Sequence, residues 1–315
     1  MIATYDFRFN LNRFIAFLDS SGPPSTLFNP SDLGTDADDV WTDGALVDAH
    51  VYAGYTYDYY FKRHGRHGLD DANVAIHSIT HALRRDDWFL YSPDVVFTFF
   101  TNAAYLGDGI MYYGDGLPPG VALGGQHFNY MSAGLDIVAH ELSHGVTDYT
   151  SRLVYRDEPG ALNEAFSDIM ATGAEFYLQP DKADYLLGED AITPGGTRSM
   201  QNPMAYGDPD HYSLLYRGPD DNGGVHSNSG IANHAFYLAI EGGRHRLGAI
   251  VQGVGGANRA LIERVFYRAF TSFLTPSATF AQARAATIEA ARELYGAGSA
   301  AETAVIQAWT AVGVI

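Results

Sequence analysis

The sequence contains no cysteine, only two lysines (Lys62 and Lys182), and no long uninterrupted run of apolar residues. Without cysteine no disulfide can stabilise the fold, and any bound zinc must be held by histidine and carboxylate side chains. No stretch approaches the roughly 18 consecutive apolar residues that a transmembrane helix needs. The chain begins MIATYDFRFN, without the basic and apolar regions of a signal peptide.

Positive charge is also scarce, with 19 lysines and arginines against 37 aspartates and glutamates and a net charge of −18. Nucleic acids and anionic membranes attract basic surfaces, so we expect neither of them as a partner. Clustered carboxylates suggest bound cations, calcium included. For most of the 37 acids we favour the simpler interpretation of a solvated acidic surface.

The length of 315 residues and the 46% hydrophobic content are those of a globular protein with two domains. The hydrophobic pattern changes near residue 134, from short strand-like segments to helical spacing. We therefore predict an α+β fold. A β-rich N-terminal domain would cover residues 1–133, a central helix residues 134–150, and a mainly helical C-terminal domain residues 151–315.

In the first half, alternation over residues 4–9 predicts a strand, and the β-branched and aromatic run 95–100 predicts a buried strand. Residues 112–113, followed by glycine, indicate a strand that ends in a turn. Helices are predicted near 48–62 and over 71–84.

In the second half, an apolar stripe predicts a helix that starts at Gly134; its members are Leu135, Val138, Ala139, Leu142 and Val146. Further helices are predicted over 159–178, 229–241 and 257–273. Two more should start at capping boxes, Thr279 with Gln282 and Ser299 with Glu302, and Gly296 should end the first of these.

The pentad His140-Glu141-Leu142-Ser143-His144 lies on the helix predicted from Gly134. Two histidines four positions apart differ by about 40° in direction and roughly 6 Å in rise, so both imidazoles can reach one ion. Histidine nitrogen suits zinc, and the intervening glutamate can act as a base without binding the metal. Alone, the pattern is only suggestive of metal-assisted hydrolysis.

A catalytic zinc needs a third protein ligand. The metzincin pattern is excluded, because Thr147 and Thr150 stand where it requires glycine and histidine. The next predicted helix offers a carboxylate at Glu164. Asp168, one turn further on the same face, could accept a hydrogen bond from a ligating imidazole.

Several segments together resemble the thermolysin family of zinc metalloendopeptidases, the gluzincins with an N-E-x-x-S-D motif. The zinc-helix segment HELSHGVTDYT and the following GALNEAFSD carry the strongest similarity. Residues 53–60, 112–116, 206–212 and 221–230 are also similar to family segments, in the same order. The resemblance extends from about residue 1 to the C-terminus.

The resemblance implies one zinc ion held by His140, His144 and Glu164. Glu141 would deprotonate the zinc-bound water and pass the proton to the leaving amine. Five further residues have implied roles. Tyr155 and His226 would donate hydrogen bonds to the developing oxyanion, and Asp221 would orient His226. Asp168 and Asn163 would brace His140 and His144 respectively.

The resemblance also implies peptide and protein substrates, bound along an edge strand at Asn102 and Ala103, with Arg198 holding a substrate carbonyl. A pocket for a hydrophobic residue after the scissile bond would be lined by Phe128, Met131, Ile137 and Leu187. Thr197 stands where the family has an apolar residue, which makes the preference of this pocket less predictable. We expect a monomer.

Asp136, Glu175, Asp184 and Glu189 fall where the family's main calcium site has its acidic ligands. Leu186 replaces a further acid there, so we expect one structural calcium rather than a pair. Asp36, Asp38 and Asp39 fit either a cation loop or a solvated acidic turn.

The sequence starts at a point that resembles the interior of the family's mature catalytic domain, so the chain is either trimmed or a minimal member without a propeptide. The resemblance implies secretion, whereas the missing signal favours the cytoplasm, and the compartment stays open. Two alternative functions are an aminopeptidase and a metal-binding module without catalytic turnover. An aminopeptidase would need a G-x-M-E-N segment, which is absent, and a metal-binding module without turnover would not need Glu141, Tyr155 and His226.

Overall fold

The computed structural model describes residues 1–20, 22–35 and 40–315, and its α+β architecture confirms the predicted fold class. Asp36, Asp38 and Asp39 lie outside the described residues. The helices are α1 (Leu11–Leu18), α2 (Pro24–Leu27), α3 (Gly44–Tyr59), α4 (Pro93–Phe99), α5 (Leu135–Asp148), α6 (Asp157–Leu178), α7 (Asp221–Glu241), α8 (Arg259–Ser272), α9 (Phe280–Tyr295) and α10 (Ala300–Ala311). The strands are β1 (Ile2–Asp6), β2 (Ile76–Thr80), β3 (Ala103–Gly107), β4 (Ile110–Tyr113), β5 (His127–Phe128), β6 (Leu186–Leu187), β7 (Ile192–Thr193), β8 (Arg198–Ser199), β9 (Gly243–Arg244) and β10 (Ile250–Val251).

The described chain divides into two compact units. The first comprises Met1–Phe61, Arg66–Gly145 and Gly188–Gly196, and the second comprises Lys62–Gly65, Val146–Leu187 and Thr197–Ile315. Among the described residues, no helix combines the length and the apolar character that crossing a bilayer requires.

A sheet with the strand order β1-β2-β4-β3 forms the framework of the first unit. β1 and β2 are parallel, β2 and β4 are parallel, and β3 runs antiparallel to β4, so β3 lies at one edge. Aromatic side chains from β1, from the residues after it and from α1 pack together, among them Tyr5, Phe7, Phe14 and Phe17. This core fixes the sheet that carries the edge strand.

The helix predicted over residues 71–84 is wrong, because this segment contains strand β2. All five residues of β2 are buried, and the strand pairs on both sides, with β1 and with β4. A central strand covered on both faces lacks the alternation of polar and apolar residues that marks a half-exposed strand. The tertiary pairing therefore outweighs the local helical spacing.

The strand predicted over residues 95–100 is also wrong, because α4 occupies this segment. Ser92 caps the helix by accepting a hydrogen bond from the N–H of Val95, and Pro93 occupies its first turn. Val96 and Phe100, four positions apart, are buried, whereas Phe97 is exposed. The capping residues decide the structure here, and the β-branched and aromatic composition does not.

Helix α5 agrees with the prediction, and every member of its apolar stripe is at most 1% exposed. Ser143 lies on the same helix, and its hydroxyl is hydrogen-bonded to the carbonyl oxygen of Ala139 at 2.7 Å and to the hydroxyl of Tyr60 at 2.6 Å. Burial of the stripe and this anchor fix the rotation of α5 about its axis. The rotation decides where the pentad side chains point.

The second unit is mainly helical, as predicted. Every residue of α6 from Gly160 to Glu175 is buried, and Phe166 of this helix stacks on Phe270 of α8. Trp309 of α10 is fully buried and donates to the hydroxyl of Thr287 at 2.9 Å. The predicted capping box of α9 and its end at Gly296 are confirmed.

A partly buried ion network near the sheet joins His81 to Asp115 and Asp43. The Nδ1 of His81 lies 2.6 Å from Asp115 Oδ1, and its Nε2 lies 2.8 Å from Asp43 Oδ2. Burial alone would lower the pKa of His81, but the hydrogen bonds and charges of the two carboxylates outweigh it and raise the pKa to about 10. The imidazole is therefore charged at neutral pH.

Because its folded-state pKa lies above the ordinary value, His81 stabilises the fold fully below about pH 6.5, and this contribution is lost as the pH rises toward 10. The contribution amounts to at most about 5 kcal/mol. Urea unfolding at pH 6.5 and pH 9.5 should show a larger loss of stability in the wild type than in His81→Gln. An equal pH dependence of the two proteins would contradict this assignment.

Candidate active site

The two histidines of the pentad and Glu164 of α6 come together. One ring nitrogen of His140, one of His144 and one carboxylate oxygen of Glu164 all lie within 4.8 Å of one another. Within the described residues, this is the one such group of three or more histidine, aspartate or glutamate side chains. Glu164 is fully buried, and His140 is largely buried.

The geometry fits a single zinc ion. The two Nε2 atoms face each other at 3.0 Å, and the ring planes are nearly perpendicular at 83°. Two nitrogens on a tetrahedral zinc, each about 2.0–2.1 Å from the ion, would be roughly 3.3 Å apart, close to the observed separation. Two nitrogens and a buried carboxylate oxygen are the donor set of catalytic zinc sites.

Glu141 follows the first histidine on α5 and points toward the edge strand. Its Oε2 accepts a hydrogen bond of 2.8 Å from the backbone N–H of Tyr105 in β3. The side chain is nearly buried, and the hydroxyl of Tyr113 lies close enough for the charge of Glu141 to add to burial in raising the pKa of that tyrosine. A backbone donor thus fixes the direction of this carboxylate.

Tyr155 and His226 form a second cluster next to Glu164. The hydroxyl of Tyr155 donates to Oε1 of Glu164 and lies 3.1 Å from Nε2 of His226, which is itself 3.6 Å from the same carboxylate oxygen. The other ring nitrogen, Nδ1, lies 2.6 Å from Oδ1 of Asp221. Partial loss of solvent around the His226 ring opposes its protonation, but the charge of Glu164 and the hydrogen bond and charge of Asp221 outweigh this and raise its pKa above the ordinary value.

A left-handed turn at the start of α7 makes the contact between Asp221 and His226 possible. Residues Asp221 to Gly224 all have positive φ, from 50° to 93°. Glycine and asparagine adopt this region more readily than other residues. At Gly223, a Cβ atom would lie only 2.3 Å from Oδ1 of Asp157. The turn lets Asp221 bind both the backbone N–H and the ring of His226.

Asp168 lies on α6, one turn after Glu164, and is fully buried. Arg198 of β8 donates to it with both sides of the guanidinium, at 3.0 Å from Nε and 2.8 Å from Nη2. The same Nη2 lies 4.0 Å from Oε2 of Glu164. Burial disfavours the charge of Arg198, but the two carboxylates outweigh burial and raise its pKa. One guanidinium therefore faces two buried carboxylates.

The other predicted residues occupy identifiable positions. Asn163 of α6 donates to the carbonyl of Leu153 at 3.2 Å. Asn102 precedes the edge strand β3 and accepts from the N–H of Gly114, and Ala103 opens that strand. The predicted pocket residues are buried or half-buried and lie in β5 (Phe128), a 3-10 turn (Met131), α5 (Ile137) and β6 (Leu187).

The four predicted calcium ligands differ in their surroundings. Asp136 and Glu175 are buried, Glu189 is half-buried, and Asp184 is exposed. Burial raises the pKa of Asp136 to about 6, although the N–H groups of Gly188 and Ile137 donate to it. The charge of Asp190, which the sequence analysis did not single out, raises this pKa further.

Several contacts of the site are not predicted by the sequence, among them those of Tyr105 with Glu141, Asn233 with Asp168 and Arg198 with Asp168. The donor to Glu141 is a backbone group, which leaves no signature in residue types. The second contact joins Asn233 of α7 to Asp168 and carried a weak signal, because asparagine is disfavoured inside helices and in buried positions.

Two family models together match nearly the whole chain. Residues 3–148 match the model of the thermolysin metallopeptidase catalytic domain, and residues 151–314 match that of the thermolysin metallopeptidase alpha-helical domain. The chain belongs to the thermolysin metallopeptidase family.

Individual relatives are similar over most of this chain. The thermostable neutral protease NprT of Geobacillus stearothermophilus is 47% identical over 292 residues, which are 90% of this chain and 48% of the relative. Bacillolysin of Bacillus caldolyticus is 46% identical, with 90% of this chain and 49% of the relative covered. The chain thus spans about half the length of these relatives. Among solved structures, the precursor of protealysin, a metalloproteinase from Serratia proteamaculans, superposes with a TM-score of 0.72 at 27% identity, covering 100% of this chain and 87% of that one.

Proposed function

We propose that this chain is a zinc-dependent endopeptidase, with residues 134–150 as its central metal-binding helix. The observation that carries the proposal is the convergence of His140, His144 and Glu164, whose ligand atoms lie within 4.8 Å of one another. Glu141 lies on the same helix as the two histidines. Family membership supports the reaction class, because the relatives are named as proteases and bacillolysins.

His140, His144 and Glu164 would hold the zinc. When bound there, zinc polarises a carbonyl oxygen and acidifies a water molecule. Glu141 accepts a proton from the attacking water and passes it to the leaving amine. The N–H of Tyr105 holds the carboxylate in place for both transfers, since it occupies one oxygen and leaves the other for the proton.

Tyr155 and His226 act as donors to the carbonyl oxygen on which negative charge develops. Both are more than one-third exposed, so a substrate can reach them. Asp221 accepts a hydrogen bond from Nδ1–H of His226, so the ring donates from Nε2 when both of its nitrogens carry protons. Asp168 and Asn163 are proposed to brace His140 and His144 respectively.

The substrate class is peptides and proteins, with a preference for a hydrophobic residue after the scissile bond. A peptide adds to the edge of the sheet at Asn102 and Ala103, because β3 pairs only with β4 among the described strands. Arg198 binds a substrate carbonyl, and Phe128, Met131, Ile137 and Leu187 line the pocket. The hydroxyl of Thr197 supports an apolar pocket, because it is already bonded to the carbonyl of Leu187 at 3.2 Å.

Asp136, Glu175, Asp184 and Glu189 are proposed to bind one structural calcium ion. The support is the burial of Asp136 and Glu175, since buried carboxylates are costly unless a cation or hydrogen bonds offset their charge. The charge of Asp190 increases that cost for Asp136.

Replacing the base should separate metal binding from catalysis. Glu141→Gln keeps the shape of the side chain and all three zinc ligands but cannot accept a proton. We expect one zinc per chain by metal analysis and a fall of about 10²- to 10⁴-fold in peptide hydrolysis. Glu293→Gln, which alters an exposed ion pair with Arg268, should retain full activity. Substantial turnover by Glu141→Gln would rule out Glu141 as the base.

Calcium should stabilise the folded chain. A ligand that binds only the folded state at about 100 times its Kd adds about 2.7 kcal/mol, so millimolar Ca²⁺ should raise the melting temperature measured by calorimetry. Asp136→Asn should reduce this increase, whereas Asp181→Asn, at an exposed acid nearby in sequence, should leave it unchanged. A melting temperature that does not respond to Ca²⁺ in the wild type would remove the calcium site.

A further inference from the structure

Asn233 of α7 is a buried polar residue without a role in the chemistry described so far. It is only 1% exposed, and its Nδ2 donates to Oδ2 of Asp168 at 2.7 Å. Asparagine is disfavoured both in the middle of a helix and in a buried position. Its presence in this position is therefore best explained by the hydrogen bond to Asp168.

The amide group matters as a donor. An ionised carboxylate only accepts hydrogen bonds, so the nitrogen of Asn233 has to face Asp168. An aspartate in this position would place a second negative charge against Asp168, and a leucine would fill a similar space without donating. The contact thus requires this residue type.

Asn233 adds a donor from α7 to those that Arg198 supplies to Asp168. Arg198 supplies two parallel hydrogen bonds, and Oδ2 receives both Arg198 Nε and the amide of Asn233. The torsion about the bond that carries an aspartate carboxylate is broad, so two hydrogen bonds to the guanidinium do not by themselves fix the plane that the two groups share. A third donor from another helix fixes the plane of the pair.

The direction of the Arg198 guanidinium depends on two carboxylates, because Glu164 also lies near it. Nη2 of Arg198 lies 2.8 Å from Asp168 and 4.0 Å from Glu164, and both carboxylates are fully buried. A carboxylate at Asp168 that rotates would let Arg198 turn toward Glu164 and away from a substrate.

We propose that Asn233 is a positioning residue, which acts through Asp168 to hold Arg198 in the orientation that binds a substrate carbonyl. This inference rests on the role proposed for Arg198 in substrate binding. Asn233 would thereby determine specificity for substrates that have a backbone carbonyl beyond the scissile bond.

The neighbouring residue holds the backbone of the same segment. Nδ1 of His234 donates to the carbonyl oxygen of Met200 at 2.9 Å, since a carbonyl oxygen can only accept. The segment that carries Arg198 thus keeps its backbone anchor when Asn233 is replaced. Replacement should disturb the side chain of Arg198 and leave the fold intact.

The test compares an acyl-glycyl-leucine amide with the matching acyl-glycyl isoamylamide, which lacks the carboxamide group and therefore the carbonyl after the scissile bond. With Asn233→Leu we expect kcat/KM for the leucine amide to fall about 10- to 100-fold, mainly through KM, because a contact to a charged group is lost. The isoamylamide lacks the carbonyl and should change less than about twofold. Ile231→Val, at a buried apolar position of the same helix, should leave both substrates unaffected.

A double-mutant cycle shows whether the effect passes through Arg198. Arg198→Lys keeps the charge but loses the planar pair of donors, so adding Asn233→Leu to it should change kcat/KM less than about twofold. The same loss in both backgrounds, or equal losses for both substrates, would overturn the proposal. If Asn233→Leu does not fold, Asn233→Ser takes its place, since its hydroxyl is too short to reach Asp168.

A measurement without turnover separates this proposal from the proposed function. Hydrogen exchange of the Arg198 Nε–H, followed by NMR, should be at least about tenfold faster in Asn233→Leu than in the wild type, because the ion pair becomes mobile. Unchanged exchange would refute the positioning role. A wild type that hydrolyses neither substrate would refute the endopeptidase assignment, and the exchange rates would still decide the role of Asn233.

Discussion

The burial of two carboxylates on α6, Glu164 and Asp168, is the constraint on which the site depends. Both are fully buried, and an unpaired charge in such a place is far more costly than an exposed one. Arg198 neutralises Asp168 directly and faces Glu164 at a longer distance. Tyr155 and His226 lie on the other oxygen of Glu164. The candidate zinc ligands and hydrogen-bond donors thus surround two buried carboxylates whose negative charge must be compensated.

The negative charge of Glu164 also explains why a metal ion suits the site. Arg198 is already committed to Asp168 by two hydrogen bonds, so it offsets only part of the charge of Glu164. The two imidazoles of α5 point at the same place with both Nε2 atoms. A divalent cation is the partner that satisfies a carboxylate and two nitrogen lone pairs together. Helix α5 can hold its histidines in this direction because its apolar stripe is buried and Ser143 is anchored.

The sequence predicted those parts of the fold that depend on local chemistry. The stripe of α5, the pentad on it, and the capping box at Thr279 are each encoded within a few residues, and all three have the expected structure. The local spacing of apolar residues predicts a helix where strand β2 lies. The strand depends on pairing with β1 and β4, which lie far away in sequence. At α4 the residues that start a helix, Ser92 and Pro93, lie directly before a β-branched and aromatic run whose composition favours a strand. The capping residues determine the structure there.

The candidate site shows the same difference between features encoded locally and contacts between residues distant in sequence. Candidate ligands could be named from residue type and spacing, and the similarity to family motifs extended this to Tyr155, His226 and Asp221. The contacts of Tyr105 with Glu141 and of Asn233 with Asp168 could not, because one uses a backbone N–H and the other joins two helices distant in sequence. Such supporting contacts become visible only when the chain is folded.

The central claim is that His140, His144 and Glu164 hold a zinc ion on which peptide hydrolysis depends. The most direct measurement is to remove metal from the purified chain with a chelator and titrate zinc back while following hydrolysis of a blocked peptide. We expect activity to disappear and to return in proportion to zinc, reaching its maximum at about one equivalent per chain. Full activity in protein that contains no zinc would contradict this claim.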